Sequence, residues 1–187
     1  LPDPIARLTE AFGQSLNVGN HTLRFVAYVL RLQRAATPAM ETLLMDIVRK
    51  ADQTTAEGSS EYFTGKVTIT GHFEREAPSR LTGAIVHFEP GARTAWHTHP
   101  LGQTLIVTNG VGWTQVEDGP KLEFYAGDVL WCPPEHKHWH GATPHEAMTH
   151  IAVQEAKDGK AVTWLEHVSD DQYLAGNIAE PSSRCPD

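Results

Sequence analysis

From residue 66 onward, short runs of β-branched and aromatic residues alternate with turn residues: Lys66–Thr70, Thr82–Phe88, Thr104–Thr108, Gly112–Val116, Lys121–Tyr125, Asp128–Cys132, Met148–Gln154 and Val162–His167. Successive strand residues point to opposite faces, so short runs at this regular spacing predict a closed barrel or sandwich with one face of each strand buried. Glu89-Pro90-Gly91, Asn109-Gly110 and Glu117-Asp118-Gly119-Pro120 supply turn chemistry between runs, because Gly and Asn tolerate the positive φ of tight turns.

The texture before residue 58 is different. Ile5, Leu8 and Phe12 fall at helical spacing, Leu43, Leu44, Ile47 and Val48 form an apolar stripe, and Thr37-Pro38 has the form of an N-cap followed by a first-turn proline. The pattern predicts an α-helical N-terminal arm over residues 1–58, a surface connection near Ala51–Ser60, a β-barrel over 59–175 and a polar tail over 176–187. The apolar stripes have no partner within the arm, so they are expected to pack on the barrel or on a second subunit.

Composition narrows the function. Lys+Arg 15 against Asp+Glu 23 leaves a net charge of −8, which argues against nucleic-acid phosphates and anionic membranes and for a small-molecule partner. The apolar stretch Leu23–Leu32 is interrupted by Arg24 and Arg31 and is too short to span a bilayer, so a soluble protein is expected. A cytoplasmic location is the working expectation; the chain begins at Leu1, which leaves open a removed leader and a periplasmic location. Cys132 and Cys185 lie far apart and suggest neither a disulfide framework nor a thiolate metal site; Cys132 reads as a small core residue.

The chemistry lies in the histidines. Of 11, several cluster as His97/His99, His136/His138/His140 and His145/His150. On a strand, residues i and i+2 share a face, so His97 and His99 are placed to bind one cation together, with the Gln103 amide just past the Pro100-Leu101-Gly102 bend. Gly91, His97, His99, Gln103 and Gly110 have the spacing of the first cupin motif, and Gly127, Pro133 and His138 that of the second. By this resemblance the chain is mainly β, a single cupin (small jelly-roll) barrel, with His97, His99, Gln103 and His138 converging on one metal. Gln103 stands where a glutamate is commonest and Glu135 where a second glycine is usual. Three imidazoles and an amide leave the charge of a dication unneutralised, and a nitrogen and oxygen ligand set without sulfur suits Mn(II), Fe(II), Ni(II), Co(II) or Zn(II). His21, His72, His87, His136, His145 and His167 read as structural or solvated, as do Glu89 and Glu135; Trp96, Trp113, Trp131 and Trp139 read as core or pocket wall.

A closer resemblance is carried by Tyr62-Phe63-Thr64-Gly65, by residues 88–105, by Glu135-His136-Lys137-His138-Trp139-His140-Gly141, and by Ala147-Met148-Thr149-His150-Ile151-Ala152 through Gln154-Glu155. These stretches resemble the bacterial cupin hydroxynitrile lyases over residues 60–173. The resemblance implies an oligomeric, usually manganese-containing lyase that reversibly cleaves aromatic cyanohydrins such as mandelonitrile to aldehyde and hydrogen cyanide. It implies that His140 and His150 stand near the substrate. His150, on one side of a strand with Ala152 and Gln154, is the first choice for the base and His140 the alternate. Ala84, Val86 and Phe88 alternate along a neighbouring strand and are pocket candidates, with ordinary barrel filling the equal alternative; Gln154 joins them as a pocket candidate. Two other functions remain open: a different metal-cupin enzyme, such as an iron oxygenase or a lyase on another small molecule, and a non-enzymatic metabolite-binding cupin.

Overall fold

The computed structural model describes residues 45–179. The chain divides into two compact units, residues 1–47 and 48–187. Nearly all of the predicted helical arm, including Leu8, Phe12, Thr37 and Leu44, lies outside the described residues, as does the tail beyond residue 179. The described end of the arm departs from the helical reading. Residues 45–49 have no regular structure, Lys50–Asp52 form one 3-10 turn, and Thr55–Glu57 form strand β1, hydrogen-bonded to the sheet. The apolar pair Ile47 and Val48 is exposed. Helical spacing over so few residues did not outweigh the Thr54-Thr55 pair, whose β-branched side chains suit an edge strand.

After β1 come β2 (Phe63–Thr64), β3 (Val67–Glu74), β4 (Leu81–Phe88), β5 (Arg93–Thr94), β6 (His97–Thr98), β7 (Gln103–Val116), β8 (Lys121–Tyr125), β9 (Val129–Cys132), β10 (His138–Ala142), β11 (Met148–Glu155), β12 (Thr163–Trp164), helix α1 (Asp170–Leu174) and β13 (Ile178–Ala179). The hydrogen-bonded path runs β1-β3-β4-β11-β7-β10-β5-β2, with β8 and β9 also on β7, β6 between β10 and β12, and β13 parallel to β8. This is a curled, mainly antiparallel jelly roll. Alternation places Thr82, Ala84, Val86 and Phe88 of β4 and Met148, His150 and Ala152 of β11 inside, with Leu105 and Val107 opposite them. Among the described residues no helix is long and apolar enough to cross a membrane.

Two expected strands are one. β7 pairs with β11 and β9 through its first half and with β10 and β8 through its second, so it carries the chain from one sheet to the other. The crossing is at Gly110, where the sequence suggests a turn. Its φ is 76°, and a Cβ there would stand 1.8 Å from the Ala147 carbonyl oxygen. Trp131 also corrects its expectation: it is 59% exposed, because on β9 the odd positions Val129 and Trp131 face outward.

The C-terminal segment is clasped across the barrel. Arg93, 4% exposed, donates from Nε and Nη2 to the Val168 carbonyl (3.1 and 2.9 Å), pairs with Asp170 at 2.6 Å, and lies 4.6 Å over the Tyr173 ring. Ser169 and Gln172 form a reciprocal capping box that starts α1. The Tyr173 hydroxyl donates to the Ala142 carbonyl, and β12 pairs with β6 beside the histidines.

The Gly110→Ala substitution combines a positive φ with a backbone collision, and is expected to cost roughly 3 kcal/mol or prevent folding. Urea unfolding against wild type checks this; a loss within 0.5 kcal/mol, roughly what an ordinary surface change gives, would contradict it.

Candidate metal centre

Five histidines and one glutamine are brought together from four elements. His97 is on β6, His99 follows it, Gln103 opens β7, His138 and His140 are on β10, and His150 is on β11. The pairings explain the meeting. His138 is directly opposite His97, and Gln103 is directly opposite Gln154. The two motif loops are also tied together, since the Glu135 amide donates to the His99 carbonyl at 2.9 Å. Glu135 makes that bond at φ 62°, the left-handed conformation that a glycine would take more cheaply. All six side chains are buried, none more than 5% exposed.

Hydrogen bonds set the tautomers of three rings. Nδ1 of His97 lies 2.9 Å from the Ala95 carbonyl, Nδ1 of His99 lies 2.7 Å from the Ala161 carbonyl, and Nδ1 of His138 lies 2.9 Å from the His136 carbonyl. A carbonyl oxygen only accepts, so each Nδ1 carries the proton and each Nε2 keeps its lone pair. Nε2 of His99 and of His138 have no partner, nor does Oε1 of Gln103, whose Nε2 donates to Gln154 Oε1 at 3.2 Å. Cys132 belongs to this surround instead of the core proper: it is half-buried, burial pushes its thiol up to about 11, and its sulfur stands 2.9 Å from His138 Nδ1.

The rings are close. Centroids are 4.2 Å apart for His97–His138, 5.1 Å for His97–His99, 5.7 Å for His99–His138, 5.2 Å for His97–His140 and 4.9 Å for His140–His150. Donor atoms of His97, His138 and His140 lie within 4.8 Å of one another, a trio that includes His140 where the sequence spacing suggests His99. The tautomers distinguish the two. His99 has its Nδ1 held by a carbonyl, as metal-ligating imidazoles do, whereas Nδ1 of His140 has no partner. The residues therefore fit a divalent cation at His97, His99, Gln103 and His138, with His140 adjoining it.

Burial keeps every ring neutral. It lowers His97 well below its ordinary value, with the neighbouring His138 and His99 adding to the effect. It lowers His99, and takes His138 to about 4 and His150 to about 3. His140 is also lowered well below its ordinary value, by burial first and then by His150.

Nine of the ten expected site residues, Ala84, Val86, Phe88, His97, His99, Gln103, His140, His150 and Gln154, line one cavity of about 190 Å³; His138 lies behind it, against His97. Both nitrogens of His150 and Nδ1 of His140 lack partners. Sequence reasoning missed the aromatic wall of Phe63 and Trp164, with Trp164 stacked on Tyr62 at 4.9 Å and tilted against His97 at 4.9 Å. It also missed Thr94, whose hydroxyl accepts from the His140 amide; His72 borders the same cavity and is exposed, in keeping with its solvated reading. Val162–His167 is legible as a strand, but nothing in its composition says that it crosses the cavity.

The sheet and the two-motif histidine centre define the class as a metal-site jelly roll. Comparison with known proteins agrees: residues 84–153 match the cupin domain family. The chain is 57% identical over 129 residues to the (R)-mandelonitrile lyase of Granulicella tundricola, an alignment covering 69% of this chain and 98% of that protein. A cupin-like protein from Thermotoga maritima is 37% identical, with a TM-score of 0.60 over 69% of this chain and 95% of that one. The polyketide cyclase RemF of Streptomyces resistomycificus shares the fold, at 17% identity and a TM-score of 0.51 over 70% of this chain and 91% of its own. The chain belongs to the cupin family, and within it resembles the hydroxynitrile lyases.

Neutral buried imidazoles make the chelated protein acid-sensitive. His138 and His150 titrate lower when folded than the ordinary 6.5, so below that pH the unfolded chain binds protons that the folded chain refuses. Stability is full above pH 6.5 and is lost as pH falls toward about 4 and about 3. Replacing His150 by Leu is expected to reduce the slope of stability against pH below 6 by about 1.4 kcal/mol per unit, measured by urea unfolding. An unchanged slope would contradict the neutral assignment.

Proposed function

We propose that this protein is a metal-dependent hydroxynitrile lyase that reversibly cleaves aromatic cyanohydrins such as mandelonitrile into an aldehyde and hydrogen cyanide, with Mn(II) as the working metal. The observation that carries the reading is the arrangement of three carbonyl-held imidazoles beside two buried histidines without such carbonyl bonds, four of the five lining one small apolar cavity and His138 packed against His97 behind it. The relative named (R)-mandelonitrile lyase supports the same chemistry.

His97, His99, Gln103 and His138 would hold a divalent cation, which when bound would supply Lewis acidity toward a substrate oxygen and positive charge near departing cyanide. The chain's own residues do the rest. The cavity has about the volume that admits one substituted ring, since an apolar cavity of roughly 150 Å³ admits benzene. Ala84, Val86, Phe88 and Ala152 supply an apolar floor, and Phe63 and Trp164 an aromatic wall. His150, neutral and with both nitrogens unpartnered, accepts the hydroxyl proton; the carbon–carbon bond to the nitrile then breaks, its electron pair leaves with cyanide, and the carbonyl forms. The proton returns from His150 to cyanide, giving hydrogen cyanide, and His140, 4.9 Å away, is the alternate carrier. No redox change is needed.

A homo-oligomer completes the reading. Ile85, Ile151, Ile106 and Val129 stand in register across β4, β11, β7 and β9 on the outward face, and three of them are 38%, 39% and 66% exposed. At the outward positions of these strands the acidic or basic side chains are Glu155, paired with Arg80 at 3.4 Å, and His87, bonded to Thr149 at 2.8 Å and 3.7 Å from Glu89. A second copy is the fitting occupant: a face nearly free of charge lets two chains of net charge −8 approach, and packing it on itself closes a two-fold dimer.

The chemical reading is tested by hydrogen cyanide release from racemic mandelonitrile after chelation and reloading with Mn(II). Release is expected to return with Mn(II), to vanish in His138→Ala, and to fall by at least about 100-fold in His150→Ala; metal binding without release, or oxygen uptake, would move the assignment to another reaction. Sedimentation equilibrium tests the dimer. Ile106→Lys with Val129→Lys is expected to give a folded monomer, and a monomeric wild type would contradict the dimer.

A further inference from the structure

We infer that Gln154 is a positioning residue for the metal centre, holding the Gln103 carboxamide so that its oxygen, and not its nitrogen, faces the imidazoles. The inference rests on the metal-dependent reading above and gives Gln154 a role other than substrate contact.

An amide at position 103 has two chemically unlike ends. Its oxygen only accepts and its nitrogen only donates, and the two ends are nearly the same size. With Nδ1 protonated, the neighbouring imidazoles present only Nε2 lone pairs, which are acceptors. Without a metal, the favourable orientation toward such acceptors is the NH₂ end, which would hydrogen-bond an imidazole and occupy the cation's place. The observed orientation is the opposite. Oε1 is the buried atom without a partner, and Nε2 is turned away to donate to Gln154 Oε1 at 3.2 Å.

Gln154 is well placed for this. It pairs directly with Gln103 across β11 and β7, and its other flank pairs with Thr82 of β4, so its backbone is fixed on both sides. Side chains directly opposite on antiparallel strands are the strongest cross-strand contacts, and this pair is an acceptor matched to a donor. A glutamate at position 103 has two oxygens and no wrong end, so it would need no such partner. The amide at 103 and the acceptor at 154 are therefore one device: the ligand stays neutral, and a second residue supplies the orientation that charge would otherwise supply.

The test is a double-mutant cycle on the full chain, with Co(II) affinity read by chelator competition and ligand geometry by visible absorption, neither of which depends on turnover. Gln154→Met, close in shape but a poor acceptor, is expected to weaken Co(II) binding at least about tenfold in the Gln103 protein, the usual scale for losing a ligand's support. In the Gln103→Glu background the same change is expected to alter affinity less than about threefold, because a carboxylate has no orientation to lose. Gln154→Glu keeps the acceptor and is expected to bind Co(II) at least as well as wild type, which separates orientation from folding. Equal losses in both backgrounds, or no loss with Gln103 present, would overturn the inference. Co(II) absorption untouched by His97→Ala would instead overturn the metal-centre reading, and the inference with it.

Discussion

The site depends on the burial of neutral imidazoles. Removing a histidine ring from water penalises its charged form, and here five such rings share one interior whose cavity lining contains no carboxylate. With protonation disfavoured, each ring has one N–H to satisfy. For His97, His99 and His138 the backbone takes it, through the carbonyls of Ala95, Ala161 and His136. The Nε2 lone pairs of His99 and His138 are then left without a donor, an arrangement that a shared cation would relieve.

The barrel makes that convergence possible. β7 passes from one sheet to the other at Gly110, so Gln103 at its start and Thr114 near its end face β11 and β10 respectively. β10 brings His138 against His97 through strand register, and β11 brings His150 in behind Phe88. The C-terminal segment then closes the site: Ala161 supplies the acceptor for His99, β12 pairs with β6, and Trp164 packs on His97. The Arg93 clasp on Val168 and Asp170 fixes that segment from outside, so the tautomer of one candidate ligand depends on a loop 62 residues away.

Much of this was legible because it is local. Alternation at Thr82–Phe88 and Met148–Gln154 reads directly as buried strands, and the i, i+2 pair His97/His99 reads as one face. Glu135 could be singled out because it stands where the cupin motif usually has a glycine, and its φ of 62° is the conformation a glycine takes cheaply. What escaped has two physical causes. Residues 138–142 are buried on both sides, so their composition of His, Trp, Gly and Ala shows no alternation and β10 went unrecognised. The other cause is distance along the chain: the carbonyl of Ala161, the wall of Trp164 and the outward aliphatic row exist only once the strands are in register. The helical stripe near residue 47 is a third kind of case, a period supported by too few residues to hold against the neighbouring strand former.

The neutrality of the site has a chemical consequence that ties fold to function. On the proposed ligand set, four uncharged side chains would leave the field of a dication undiminished, and the apolar walls of Ala84, Val86, Phe88 and Trp164 would limit the water that screens it. Cyanohydrin cleavage asks for that combination: a proton removed by a neutral base, an oxygen whose developing charge is stabilised, and a leaving anion drawn away from carbon. A carboxylate at position 103 would neutralise part of that field. The amide avoids this, but an amide has a donor end, and the cross-strand partner that holds it away from the imidazoles becomes part of the chemistry.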